Sequence, residues 1–250
     1  MIRLVSAEFL KLRTTQVWFW LLASTVAIAS AFMIGGIASN SVHNSHDLAE
    51  VFTGSQIASI AVFVLGVLGV TTEFRYQTIT PTVLGTPSRW AIVSAKMIAY
   101  TAVGALYAVI SLGIQLAIAV PWLSAKGTDY SLAGGQVPRA MLAVFAVVAL
   151  HGMIGLGVGA LLRNQVVAVV LGIIFLLALQ SILLAIPGVK NGYPYLPAGG
   201  TSSILHLQGD DKTFNHVTIL PAWAGVIVLL LWAIVPALIG AGYTMNRDIT

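Results

Sequence analysis

Apolar stretches recur along this chain, each about long enough to cross a bilayer, with short polar breaks between them. They cover approximately residues 17–39, 54–71, 91–120, 137–162, 166–187 and 221–244. A hydrocarbon core of about 30 Å takes roughly 20 residues of helix at about 1.5 Å each, so the pattern predicts six membrane-spanning helices. The fold class is therefore an all-α integral membrane protein, with residues 1–250 forming a single transmembrane domain. The second stretch is short for a span unless its helix begins near Val51. The third is longer than the bilayer requires, so its first turns should project, with Lys96 snorkelling to the surface. In the fourth, Gly155 and Gly159 have the spacing that lets two helices approach closely. Pro236 predicts a kink in the sixth.

The breaks carry most of the polarity. Residues 2–14 place Ile2, Val5, Phe9 and Leu12 on one helical face, with Arg3, Glu8, Lys11 and Arg13 around the rest, as suits a helix on the membrane surface. Ala29-Ser30-Ala31 looks like a signal-peptide cleavage site, but the amphipathic basic segment is long and the apolar run continues past it, which favours a span. Residues 72–90 form a polar island holding Glu73, Arg75, Arg89, Pro81 and Pro87. It cannot lie in hydrocarbon, where each central charge costs about 2.5 to 3.5 kcal/mol. Thr80-Pro81 and Thr86-Pro87 each read as an N-cap followed by proline at the first helical position, and Gly85 suits a helix end, so a stub helix is expected here. Residues 121–136 read as a loop, 163–165 as a minimal turn, and 188–220 as the longest connection, rich in Gly, Pro and Tyr.

Composition narrows the function. With 58% hydrophobic residues, 8% charged residues and a mean hydropathy of +0.94, the chain leaves no room for a soluble catalytic domain. It contains no cysteine, which excludes disulfides, thiolate metal sites and thiol nucleophiles. The net charge of +4 reflects topology rather than a nucleic-acid partner. With a cytoplasmic N-terminus, Arg3, Lys11, Arg13, Arg75, Arg89, Lys96, Arg163 and Arg247 lie inside, and only Lys126, Arg139, Lys190 and Lys212 outside. This asymmetry predicts that both termini and residues 72–90 are cytoplasmic, with residues 188–220 extracellular.

Candidate chemistry is sparse. His43, His46, Asp47 and Glu50 would share one helical face, but polar loop filling accounts for them better than a metal, because no second tight cluster completes a site. Gln115, His151 and Gln180 are polar residues inside spans and are functional candidates on that ground. An intramembrane protease finds only Gly200-Thr201-Ser202-Ser203 as a weak serine context, in an external connection. A secondary transporter is the stronger alternative, although spans four to six lack acidic residues and no internal repeat is evident. No G-x-x-x-x-G-K-[ST] loop occurs, so the chain has no nucleotide-binding motif of its own, and no enzyme activity is expected of it.

Two short motifs carry a resemblance. Glu73-x-Arg75-x-x-Thr78-Ile79, followed by Thr86-Pro87-Ser88-Arg89 and Lys96, resembles the segment between spans two and three of type 2 ATP-binding-cassette (ABC) exporter permeases. Ala7-Glu8-Phe9-x-Lys11-Leu12-Arg13, ahead of Val17-Trp18-Phe19-Trp20, is similar to the start of many such subunits. The likeness implies an elbow helix at residues 2–14, with Glu8, Phe9, Lys11 and Arg13. It also implies an ATPase-coupling segment at 72–90, with Glu73, Arg75, Thr78, Ile79, Thr86, Pro87 and Arg89. The family often has glycine just before the position of Thr78, where this chain has Gln77. By the same resemblance, two copies of the permease, identical or homologous, work with two P-loop ATPase subunits that bind ATP and magnesium. Spans two and five then line the path, whose candidate residues are Phe63, Leu65, Gln115, His151, Phe175 and Gln180. The apolar character of Phe63, Leu65, Phe175 and Leu176 points to a hydrophobic or amphipathic cargo. The expected location is a bacterial plasma membrane, with lipids as further partners and no nucleic acid.

Overall fold

The computed structural model describes residues 1–39, 41–77, 89–128, 131–132, 135–179, 182–183, 186, 189–205, 213–214 and 217–244. Five of its helices are long and apolar enough to cross a membrane. The described residues are overwhelmingly helical, the exception in kind being a two-residue antiparallel pairing of Thr213–Phe214 with Val217–Thr218.

Helix α1 is Ile2–Thr14 and α2 is Val17–Ala38. Next comes a continuous helical stretch, Ser45–Arg75, made of α3 (Ser45–Gly54), a 3-10 turn (Ser55–Ile57) and α4 (Ala58–Arg75). Asn44 starts it: its side-chain oxygen accepts the backbone N–H groups of His46 and Asp47 at 2.8 and 3.1 Å. The helix begins well before residue 54 because Leu48, Ala49 and Phe52 are fully buried, which gives α3 an apolar face of its own.

Helix α5 runs from Arg89 to Lys126 and passes through Pro121, where the sequence predicts a loop. Proline removes one backbone donor, but the turns beyond it stay packed: Leu123 is buried and the Lys126 ammonium donates to the carbonyl of Ile37 at 2.7 Å. Helix α6, Gln136–Leu162, is the centre of the fold and packs against α3, α4, α5 and, further along the chain, the helices Gln165–Ile174 and Ala222–Ile239. A methyl at Gly155 would overlap the backbone carbonyl of Phe63 in α4, and one at Gly159 would come within 2.9 Å of the carbonyl of Val67. The two glycines thus perform the close helix approach expected of their spacing.

Asn164 caps α7 (Gln165–Ile174), which ends in a π turn, Phe175–Leu179. Among the described residues the apolar helix Gln165–Ala178 covers roughly 20 Å of a core of about 30 Å at about 1.5 Å per residue, and residues 180–181 beyond it lie outside the description. The connection expected at 188–220 carries structure of its own. A 3-10 turn, Lys190–Tyr195, and helix α8, Pro197–Leu205, fold back onto α9, Ala222–Ile239. There the Trp232 indole donates to the carbonyl of Tyr195 at 2.9 Å, and Gly200 faces Gly225. Pro236 lies within α9, and a π turn, Gly240–Thr244, follows it.

Candidate functional site

Three helix segments meet at one end of the bundle: α1, the last turns of α4 and the first turns of α5. Each contributes charge. Glu8 and Lys11 stand three apart on α1, Glu73 lies in the last turn of α4, and Lys96 lies in the second turn of α5. The Lys96 ammonium donates to Glu8 Oε2 at 2.8 Å, to Glu73 Oε1 at 2.7 Å and to the carbonyl of Gly69 at 3.1 Å. Lys11 donates to Glu8 Oε1 at 2.8 Å and to Glu73 Oε1 at 2.6 Å. Two acids and two lysines therefore close a neutral cluster that ties all three helices together.

Burial distinguishes this cluster from a surface ion pair. Lys96 is 2% exposed, and Glu8 and Glu73 are each 5% exposed. The expectation that Lys96 snorkels to the surface is corrected: its ammonium has three donors, and three acceptors inside the protein use them. Snorkelling is favourable only where no partner lies within reach. Gly69 helps to shape the site. A methyl there would overlap the Tyr100 ring, so the glycine lets that ring pack beside the carbonyl that Lys96 reaches. Lys11 is half-exposed; burial lowers its pKa, but hydrogen bonds and charge from Glu73 and Glu8 outweigh this, and the net shift is upward. Glu73 Oε2 is buried with no partner among the described residues, and a cleft of about 100 Å³ lies alongside, lined in part by Glu73, Tyr100, Thr72 and Thr15.

The same geometry divides the face assigned to α1. Val5 and Leu12 pack against the core, whereas Ile2 is 84% exposed and Phe9 is also exposed. Glu8 points inward, so the inward face is centred between Val5, Glu8 and Leu12 rather than on the four apolar residues alone.

The chain matches no protein-family model and no curated protein.

Of the residues assigned to a coupling segment, Glu73 is turned inward and Arg75 outward. Arg75 is exposed, reaches Gln165 at 3.3 Å and stacks over Tyr76. Arg89 opens α5. Thr78, Ile79, Thr86 and Pro87, and with them the expected stub helix, lie outside the described residues. Gln77 has φ +55°, the left-handed region that favours glycine.

The residues assigned to a translocation path do not share one environment. Phe63 lies against Gly172 of α7, and Leu65 lies in the core; both are almost fully buried within the single chain. A path between two copies needs side chains that one copy leaves uncovered, and these two are covered. Partly buried Ile60, Ala61, Val64 and Leu68, with Ile57 of the preceding 3-10 turn, form the less covered stripe of α4 instead. Gln115 is buried, its amide donating to the carbonyl and hydroxyl of Ser111, both at 3.2 Å, with its own Oε1 without a partner among the described residues. His151 is buried on α6, with Nδ1 2.8 Å from the carbonyl of Val147. Phe175 packs against Trp232 of α9 with ring centroids 5.4 Å apart, and Gln180 lies outside the described residues. In the cluster of residues 43–50, His46 lies 3.7 Å from Glu50 and 4.0 Å from Asp47, and the Asp47 carboxylate accepts the backbone N–H of His43 at 2.8 Å.

The sequence puts Glu8 with Lys11 in one motif and Glu73 with Lys96 in another, and does not show that the four meet. The available signal is that two acids flank apolar stretches, where a carboxylate requires a counter-ion.

Proposed function

We propose that the chain is the membrane-spanning permease subunit of an ATP-driven ABC exporter, acting as one of two permease copies coupled to two separate P-loop ATPase subunits. In this reading residues 2–14 are the elbow helix, six spans cross a bacterial plasma membrane with both termini inside, and the 78–88 segment carries the ATPase contact. The single observation that supports it best is the buried cluster of Glu8, Lys11, Glu73 and Lys96. It clamps together α1 and the two helix ends that flank the 78–88 segment. Force applied to that segment would then move three helices as one body, which is what a mechanical joint requires. Arg75, exposed beside the same segment, is the described charge best placed to meet a partner.

The less covered stripe of α4, together with exposed Val166, Val170 and Ile174 of α7, provides the apolar surface from which two copies would build a path for a hydrophobic or amphipathic cargo. The decisive experiment is affinity purification of the tagged chain in mild detergent. A P-loop ATPase should co-purify reproducibly. Its repeated absence, with transport that follows a proton gradient and ignores ATP, would replace this reading with a secondary transporter.

A further inference from the structure

The outward side of α1 exposes Ile2, Phe9 and Leu10, with Arg3 and Arg13 exposed among them. Only Thr15 and Gln16 separate α1 from the membrane-crossing helix α2, whose first turns expose Phe19 and Trp20. A helix joined so closely to a span has its end at the bilayer surface, and exposed aromatic side chains in the adjoining turns suit the headgroup layer. Apolar side chains on that side dip towards the acyl boundary, while the arginines remain at phosphate depth.

The buried cluster determines the charge of this surface. Glu8 is the acid of α1 and Glu73 that of the neighbouring α4 end, and Lys96 and Lys11 neutralise both inside the protein. Among the described residues, Arg3 and Arg13 form no ion pair. With the acids withdrawn, this end presents cationic charge: Arg3 and Arg13 on α1, with Arg75 at the end of α4. We propose that the outward face of α1 is a binding surface for anionic phospholipids, with Arg3 and Arg13 holding headgroup phosphates while Ile2, Phe9 and Leu10 contact the upper acyl chains. The proposal rests on the membrane location of the chain and is independent of export, so the two stand or fall separately.

The test is lipid retention by the purified full-length chain in native mass spectrometry, with equal phosphatidylglycerol and phosphatidylcholine in the micelle. The native chain should retain phosphatidylglycerol preferentially. Arg3→Gln with Arg13→Gln should reduce that preference by about fivefold per arginine. Arg3→Lys with Arg13→Lys should keep most of it, and Arg139→Gln, at the start of α6, should leave it unchanged. Equal retention of the two lipids by the native chain would overturn the proposal. So would a double glutamine variant that retains the native thermal transition and the full preference.

Discussion

Lys96 uses all of its ammonium hydrogens inside the protein, and that makes it the most consequential single residue. Removing one partner of a buried ion pair leaves a desolvated charge, at a cost of about 3 to 5 kcal/mol. Lys96→Met leaves Glu8 and Glu73 facing each other with only half-exposed Lys11 between them. The thermal transition of this variant in detergent should fall well below that of the native chain, and that of Lys11→Met much less, because solvent already screens Lys11. Equal effects would mean that the cluster is not organised around the buried lysine. Glu8 and Glu73 were legible as separate motif residues. Their convergence was not, because they stand 65 positions apart by their numbers and only packing brings α1 against α4.

At the level of elements, helix ends and helix faces followed different rules. The ends obeyed local chemistry wherever a cap was present, as at Asn44 and Asn164. Where tertiary contacts competed with a local signal, they prevailed: α5 continues through Pro121, with Leu123 buried and Lys126 donating to the carbonyl of Ile37 beyond it. The α4–α6 seam depends on the absence of side chains at Gly155 and Gly159. Gly155→Leu should therefore separate the two helices and destabilise the protein by about 1 to 3 kcal/mol, the usual cost of overpacking. Gly35→Leu, where no atom lies within 4 Å of an added methyl, provides the control. Thermal unfolding followed by tryptophan fluorescence would compare them, and a Gly155 variant as stable as the control would refute the close seam.

For the whole molecule, the clamp and the exposed Arg75 have separate tasks. Glu73 holds the joint together from within, while Arg75 stands outside it. Under the exporter reading, Arg75→Glu and Arg89→Glu should each lower transport-coupled ATP hydrolysis in proteoliposomes while membrane insertion and yield stay near native. Changing the exposed charge of Arg75 costs the fold little. Full coupled activity in both variants would show that this end of the molecule does not engage a motor.

The sequence by itself determined that the chain belongs in a membrane, because runs of apolar residues at helical length allow no other stable environment. It also determined which glycines could bring helices together and which segments had to remain outside hydrocarbon. Only the tertiary structure decided that Lys96 faces inward, that Glu73 belongs to an internal clamp, and that α1 turns Val5 and Leu12 in and Ile2 and Phe9 out. The reason is physical: hydropathy records how much a residue dislikes water, whereas the direction in which a charged side chain points depends on the partners within reach, and distant parts of the chain supply those partners.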